Sequence, residues 1–140
     1  MKRVYKVAFE RASGGALGVV REVLLVRGER GEARLPVLFD SGSARSLVRR
    51  DVAEELTVPR GLPAPVEVVV ADGRRVSCKL YCNLVVEIEG KSIVIQPLIF
   101  ENLPVPLVFG ALDMEAYMIK LDLARRKLDL SEFTGYLLAL

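Results

Sequence analysis

Short runs of apolar residues, separated by glycine-rich or charged turns, recur along the chain and are typical of β-strands. They predict an N-terminal strand at residues 4–9 and a hairpin whose arms are residues 19–26 and 33–39. Pro36 lacks an N–H group and therefore predicts a sheet edge or a strand start within the second arm. That arm runs directly into Asp40, so the pattern places a carboxylate at the end of a buried strand.

The next stretch predicts one helix and a long hairpin. Residues 49–56 have helical spacing, with apolar residues on one side and charges on the other. Residues 57–65 carry three prolines and a glycine and predict an irregular connection. The long hairpin has arms 66–71 and 76–89, since the Asp-Gly sequence within residues 72–75 is a strong turn signal between β-rich runs.

The last third of the chain predicts further strands and a second helix. Residues 92–100 and 107–110 are apolar runs, and residues 119–130 predict a closing hairpin. Residues 111–118 have helical spacing, and the apolar face is predicted to contain Leu112, Met114 or Glu115, and Met118. With roughly eight short strands and two short helices, the chain is predicted to be mostly β and to form a small closed or nearly closed barrel.

Composition indicates one well-packed domain spanning residues 1–140. Hydrophobic residues make up 51% of the chain and the mean hydropathy is +0.32, which excludes a disordered protein. This apolar content is high for a small monomer, so part of it is expected at an interface. The apolar C-terminal segment 131–140 has two open interpretations: a strand or helix packed on its own core, or a subunit interface.

Charge and targeting features limit the partners. Lys and Arg total 20 against 18 for Asp and Glu, and aromatic residues are only 6% with no Trp. The chain therefore has little of the positive charge and few of the aromatic side chains that a nucleic-acid-binding surface uses. The N-terminus shows no signal peptide, and no apolar run approaches the ~20 residues of a membrane span. We therefore expect a cytoplasmic protein without nucleic-acid or membrane partners.

The absence of histidine excludes whole classes of chemistry. Ser-His and Cys-His nucleophilic sites and histidine-containing zinc sites are impossible. Cys78 and Cys82 are too few for a thiolate zinc site, and within one predicted strand they would share a face about 13 Å apart, too far for a disulfide. We predict that both are reduced core thiols and that the protein uses no metal or cofactor.

The segment Asp40-Ser41-Gly42-Ser43 lies between apolar runs and has two interpretations. Asp, Ser and Gly are the usual residues of an ordinary turn. However, an aspartate at the rim of a core requires hydrogen-bond donors, and the adjacent hydroxyls, amide groups and glycine can supply them.

Three motifs in order resemble those of the retroviral-type (retropepsin-like) aspartic proteases, in particular the small prokaryotic members. The resemblance extends from about residue 19 to residue 130. Its motifs are Asp40-Ser41-Gly42, then Ala71-Asp72-Gly73-Arg74 on the central hairpin, and Phe109-Gly110 opening the C-terminal helix.

The resemblance implies a homodimeric aspartic endopeptidase. Each chain supplies one Asp40, and the pair shares a proton and a water on the dimer axis. Ser41 is expected to lock the two loops across the axis, Gly42 to bring its N–H to the carboxylates, and Ser43 to hydrogen-bond the outer carboxylate oxygen. Residues 66–82 are expected to form a flap that closes over a peptide bound in extended form.

The chain departs from the viral members at three places. Ala111 stands where they carry an arginine after the glycine, and Arg45 lies where they carry acids, so that brace is either missing or rebuilt. Arg74 and Arg75 replace small residues near the flap tip, which disfavours basic substrates or slows closure. The alternative to an enzyme is therefore a retropepsin-like dimerisation or peptide-binding module without turnover.

Overall fold

The computed structural model describes residues 18–139, and the predicted strand at residues 4–9 lies outside them. The described part contains eleven strands and two helices. They are β1 Val19–Gly28, β2 Gly31–Asp40, β3 Leu47–Arg49, α1 Arg50–Leu56, β4 Arg60–Val69, β5 Arg75–Tyr81, β6 Leu84–Ile88, β7 Lys91–Ile95, β8 Leu98–Phe100, β9 Leu107–Phe109, α2 Ala111–Ala116, β10 Lys120–Asp122 and β11 Lys127–Asp129.

Nine of the strands form one sheet in the order β4-β5-β8-β3-β9-β2-β1-β6-β7, and β10 pairs with β11 separately. Most neighbours are antiparallel, but β2 and β9 are parallel, as are β3 and β8. The predicted mostly-β fold class is therefore confirmed. In the pairings of residues 18–139, β4 and β7 remain the two end strands and do not close the sheet into a ring.

The first hairpin forms as predicted. β1 and β2 pair continuously from Val19 opposite Asp40 to Gly28 opposite Gly31. Pro36 lies inside β2, and β9 pairs with β2 only from Val37 onward. Among residues 18–139, no second strand pairs with β2 on its other side at Pro36, so a missing N–H group on that side costs no ladder hydrogen bond there.

The connection predicted at residues 57–65 is wrong in part, because β4 already begins at Arg60. The β4–β5 register is interrupted between Gly61 and Val66. Pro63 and Pro65 lie within this interruption. Proline cannot donate to the ladder, but its fixed φ suits an extended backbone, so the chain stays extended while the pairing breaks.

Two segments predicted as single strands each divide into two. The predicted arm 76–89 breaks at residues 82–83 into β5 and β6, and the predicted strand 92–100 breaks at residues 96–97 into β7 and β8. At the breaks, the Cys82 N–H donates to the Pro97 carbonyl at 3.2 Å. Each segment changes neighbours there, since β5 pairs with β4 and β8, whereas β6 pairs with β1 and β7.

The same break separates the two cysteines. Both are free and buried, as predicted. They do not share a face, because Cys78 in β5 and Cys82 in the break pack in different hydrophobic clusters. Burial raises the pKa of the Cys82 thiol to about 11, so it remains protonated at neutral pH.

The core consists of two clusters on opposite faces of β2. Val37 and Phe39 pack in the larger cluster, and Leu38 packs in the smaller one. The smaller one, called here the hairpin-side cluster, is made of Val19, Leu38, Leu47, Cys78, Leu98, Phe100, Leu103, Val105 and Val108. The partly buried inward residues of β4 pack against it. Since side chains alternate along a strand, Asp40 follows Leu38 on the hairpin side.

The buried face of α2 differs from the prediction. Met114 and Tyr117 are buried, whereas Leu112 and Met118 are exposed. The helix ends at Ala116, and Met118 adopts a left-handed backbone with φ of +60° that turns it out of the helical face. The Tyr117 hydroxyl donates to the Val94 carbonyl at 2.7 Å and so fixes α2 against β7.

The first part of the C-terminal segment is buried and the part that follows is exposed, so each of the two interpretations left open by the sequence fits one part. Phe133 is buried in the larger cluster, but Tyr136, Leu137 and Leu138 are 76%, 58% and 88% exposed. Only the first part of the segment therefore packs on its own core. Neither helix in residues 18–139 has the length and apolarity needed to cross a membrane.

Candidate active site

Two parallel strands bring Asp40 and Gly110 to the same end of the sheet. Residues 37–39 of β2 pair in register with residues 107–109 of β9. The rings of Phe39 and Phe109 stack with centroids 4.8 Å apart and are both fully buried, so the two strand ends are held by tight packing. Asp40 and Gly110 are the residues that follow, so the two parallel strands bring these motifs together.

The Asp40 side chain is buried at the rim of the core. Asp40 is 8% exposed, and its Oδ1 accepts a hydrogen bond from the Gly42 N–H at 2.8 Å. Burial raises the pKa of the Asp40 carboxyl, and the Gly42 N–H opposes this in part. A Cβ on residue 42 would lie 3.2 Å from Oδ1, so glycine allows this close approach.

Hydrogen bonds fix the loop that follows Asp40. The Ser41 N–H and hydroxyl both donate to the Gly18 carbonyl, at 2.9 and 3.2 Å, and the Ser43 N–H donates to the Asp40 carbonyl at 3.1 Å. Gly18 has a φ of +73° and would place a Cβ 2.7 Å from the Ser41 hydroxyl oxygen, so it too must be glycine. Bonds within the chain therefore hold this loop in place.

Ser43 does not act as expected within the chain. Its hydroxyl donates to the Arg45 carbonyl at 2.8 Å and not to the Asp40 carboxylate, because it is turned along the loop. The bond expected from Ser41 across a dimer axis stays a prediction. Ser41 and Gly42 are both exposed, so this face of the loop is open to contact.

A Ser46–Asp113 pair, which the sequence did not single out, ties the loop to the opening of α2. The buried Ser46 hydroxyl donates to Asp113 Oδ2 at 2.5 Å and accepts from the Gly110 N–H at 3.0 Å. Asp113, in the first turn of α2, therefore has a buried hydrogen-bond partner. The only local sequence signal is a serine directly before the apolar pair 47–48.

Backbone contacts complete this connection. The Ala111 N–H donates to the Ser43 carbonyl at 2.7 Å, and the Leu112 N–H donates to the Ala44 carbonyl at 3.2 Å. Short side chains and the main chain together therefore tie the Asp40 loop to the start of α2.

Replacing Ser46 with alanine is expected to destabilise the protein by about 1–3 kcal/mol, because the buried Gly110 N–H loses its acceptor. Urea unfolding measures the change in free energy. Ser77→Ala serves as control, since Ser77 is exposed and its hydroxyl has no hydrogen bond within residues 18–139. Equal stability of the two variants would contradict the role given to Ser46.

Replacing Asp40 with asparagine is expected to raise the melting temperature by a few degrees at neutral pH. The folded chain holds the Asp40 proton to higher pH than the unfolded chain, so in wild type stability falls as pH rises from the ordinary aspartate pKa through the raised one. Asparagine removes this loss and still accepts from Gly42. Thermal unfolding between about pH 3 and pH 7 should show that the difference in melting temperature between Asp40→Asn and wild type shrinks at low pH. A difference that grows at low pH would contradict the raised pKa of Asp40.

The β4–β5 hairpin lies on the same side of the sheet as Asp40. Its inward residues pack in the hairpin-side cluster with Leu38. At its tip, which includes the predicted Ala71, the Gly73 N–H donates to the Val70 carbonyl at 2.9 Å, and Gly73 has a φ of +88°. Asp72 accepts from the Arg74 backbone and side chain at 3.0 and 2.8 Å. The tip is exposed, and its closure over a peptide stays a prediction.

Metal ligands do not gather in the described part of the chain: residues 18–139 hold no group of three or more His, Cys, Asp or Glu side chains. The Asp40 carboxyl group, which has the Gly42 N–H and an apolar cluster beside it, is suited to acid–base chemistry in a partly dry site.

Comparison with known proteins identifies the family. The chain matches the family model described as retroviral aspartyl protease over residues 1–135, and it belongs to that family. The resemblance drawn from the three motifs is thereby confirmed.

Two solved structures have a similar fold. The retroviral protease-like domain of Ddi1 from Leishmania major has a TM-score of 0.52 and 16% identity, covering 84% of this chain and 88% of that chain. The EIAV protease in complex with the inhibitor HBY-793 has a TM-score of 0.53 and 16% identity, covering 72% of this chain and 89% of that one. At this identity they show the fold alone. A search of curated proteins found no match.

Proposed function

We propose that the protein is a homodimeric aspartic endopeptidase whose catalytic dyad consists of Asp40 from each of two chains. The observation that carries the proposal is the buried Asp40 carboxyl, held by the Gly42 N–H where β2 and β9 end together. Membership in the retroviral aspartyl protease family supports peptide hydrolysis as the reaction.

The dyad requires two carboxyl groups with unequal protonation. Like charges about 3 Å apart do not both ionise, so one Asp40 is a carboxylate and the other keeps its proton. The carboxylate takes a proton from the shared water, which attacks the scissile carbonyl, and the protonated Asp40 polarises that carbonyl and then protonates the leaving nitrogen. Burial of Asp40 already favours its protonated form within a single chain.

Dimer formation is supported by the exposed Asp40 loop and by the exposed apolar residues of the C-terminal segment. Each chain contributes one Asp-Ser-Gly sequence, and Ser41 and Gly42 of the loop are exposed. Tyr136, Leu137 and Leu138 expose apolar side chains that a second copy would cover. A twofold, isologous contact brings identical loops together on its axis.

The substrate is a peptide in extended form, held between the Asp40 loop and the β4–β5 hairpin. The hairpin lies on the side of the sheet that Asp40 faces, and its tip is exposed. In this proposal the tip closes over the bound peptide. A cytoplasmic location remains part of this proposal.

The second candidate is a peptide-binding or dimerisation module without turnover. Two observations favour it: the charged tip with Arg74 and Arg75, and the similarity to a domain described as protease-like. It predicts binding of extended apolar peptides without cleavage.

The two candidates separate in one experiment. A peptide mixture incubated with wild type at acid to neutral pH should be cleaved, and Asp40→Asn should lower kcat/KM by about a thousandfold or more while leaving the dimer intact. Asp122→Asn is the matched control, because Asp122 lies in β10 outside the nine-stranded sheet. Cleavage by Asp40→Asn at the wild-type rate would refute the enzyme, and intact peptides that remain bound to wild type would establish the module.

A further inference from the structure

One buried hydroxyl group joins Asp113 of α2 to the loop that carries Asp40. Ser46 is 2% exposed, and its Oγ lies 2.5 Å from Asp113 Oδ2 and 3.0 Å from the Gly110 nitrogen. A hydroxyl group has a single proton, and an ionised carboxylate only accepts hydrogen bonds. The Ser46 proton therefore points to Asp113, and the lone pairs of the hydroxyl oxygen are left for the Gly110 N–H.

The Asp113 carboxylate in this way sets the direction of the Ser46 hydroxyl. A hydroxyl hydrogen rotates to suit the acceptors around it. Without the Asp113 acceptor it would turn elsewhere, and the lone pairs would no longer face the Gly110 N–H at all times. Because a buried N–H group requires a partner, the place of Gly110 depends on Asp113 through Ser46.

Residues 43–46 end the loop that begins at Asp40, and they lie against the opening of α2. Two backbone N–H groups of α2 donate to the carbonyls of Ser43 and Ala44, at 2.7 and 3.2 Å. A Cβ on residue 110 would lie 2.4 Å from a carbonyl carbon of the same loop, so the two backbones are in close contact. The Ser46 hydroxyl adds a side-chain bond to these backbone contacts.

This arrangement controls where the Asp40 carboxyl group lies. The strand end before Asp40 is held by the rings of Phe39 and Phe109, whose centroids are 4.8 Å apart. Asp40 Oδ1 accepts from the Gly42 N–H at 2.8 Å, and Gly42 belongs to the loop, so a displaced loop carries this donor with it. Catalytic groups must be placed within about 0.5 Å, and a misplacement of about 1 Å lowers turnover by about a hundredfold.

We propose that Asp113 is a positioning residue, which acts through the Ser46 hydroxyl to hold the Asp40 loop in the geometry needed for turnover. The inference rests on the proposed endopeptidase site at Asp40. In that site the peptide is held by the β4–β5 hairpin, whereas Asp113 lies in the first turn of α2. Loss of Asp113 should therefore lower kcat and leave KM nearly unchanged.

Cleavage of one peptide that wild type cleaves tests this role, with kcat and KM measured at a temperature where every variant is folded. Asp113→Ala should lower kcat about tenfold and change KM less than about twofold. Asp113→Asn should keep most of the wild-type kcat, because its amide oxygen still accepts from Ser46. Asp113→Ala combined with Ser46→Ala should be no slower than the slower single variant, since both substitutions remove the same bond.

Two variants on the same helix are controls. Glu115→Ala removes an exposed acid whose side chain has no hydrogen bond within residues 18–139, and it should leave kcat unchanged. Tyr117→Phe removes the bonds between the Tyr117 hydroxyl and the backbone of Val94, beyond the other end of α2. It should lower the melting temperature, as Asp113→Ala does, but keep the wild-type kcat. A merely structural role of Asp113 predicts the same kcat for these two variants.

If Asp113→Ala does not fold, Asp113→Glu takes its place. It keeps the charge but displaces the carboxylate by one methylene group, so kcat should fall severalfold. A wild-type kcat in whichever of the two is folded overturns the inference, as does a double variant about a hundredfold slower than wild type. Failure of the proposed enzyme appears separately, as a wild type that cleaves no peptide, and it would remove the positioning role as well.

Discussion

Replacing Gly110 with alanine is expected to destabilise the protein by about 3 kcal/mol, because the added methyl group would meet backbone atoms. A Cβ there would lie 2.4 and 2.5 Å from the carbonyl carbon and oxygen of Arg45 and 2.8 Å from the Ser46 nitrogen. All three are backbone atoms, which cannot rotate away as a side chain would. The φ of −91° at Gly110 is open to any residue, so the cause is space alone.

Urea unfolding of Gly110→Ala and Gly61→Ala measures this effect. Gly61 is the control because nothing lies within 4 Å of its would-be Cβ and it is a strand residue without a positive φ. Gly61→Ala should stay within about 0.5 kcal/mol of wild type. A Gly110→Ala variant as stable as this control would show that the Asp40 loop and the opening of α2 are not in close contact.

The same substitution has a consequence for the proposed site. Any shift that relieves the clash moves Arg45 and Ser46, which end the loop that begins at Asp40. Gly110→Ala should therefore lower both stability and cleavage. Asp40→Asn, in contrast, should lower cleavage and raise the melting temperature.

The sequence predicted the features that depend on neighbours along the chain. The β1–β2 hairpin follows from two apolar arms around a polar turn, and its pairing leads directly to Asp40. The buried side of α1 follows from helical spacing at Val52, Ala53 and Leu56. The meeting of Asp40 with Gly110 was not predicted, because nothing in local periodicity specifies that residues 37–39 and 107–109 run parallel.

The features that were missed depend on contacts between distant residues. The Ser46–Asp113 hydrogen bond joins residues 67 positions apart, and neither residue lies in a pattern that requires the other. The division of the predicted strand 76–89 at Cys82 arises because the chain leaves one neighbour for another, and an apolar run looks the same on both sides of such a break. Likewise, Met118 fits a helical face in sequence but lies beyond the end of a short helix.

Mixing Asp40→Asn chains with wild-type chains is expected to lower the cleavage measured per wild-type chain. If each site uses Asp40 from two chains, a hybrid dimer of wild type and Asp40→Asn has one carboxyl and does not cleave. With Asp40→Asn in roughly ninefold excess, random pairing leaves about one tenth of the wild-type chains in wild-type dimers, so cleavage per wild-type chain falls about tenfold. A site complete within one chain would keep cleavage per wild-type chain constant.

The experiment depends on exchange of chains, which differently tagged copies report by co-purification. Asp122→Asn in the same excess is the control, since it brings a second Asp40 to every hybrid and should leave cleavage per chain unchanged. The dependence on excess also distinguishes a dyad from nonspecific inhibition. Activity that follows the square of the wild-type fraction requires two wild-type chains for each site, and activity that follows the fraction itself requires one. The single buried Asp40 in each chain makes the squared dependence the expected result.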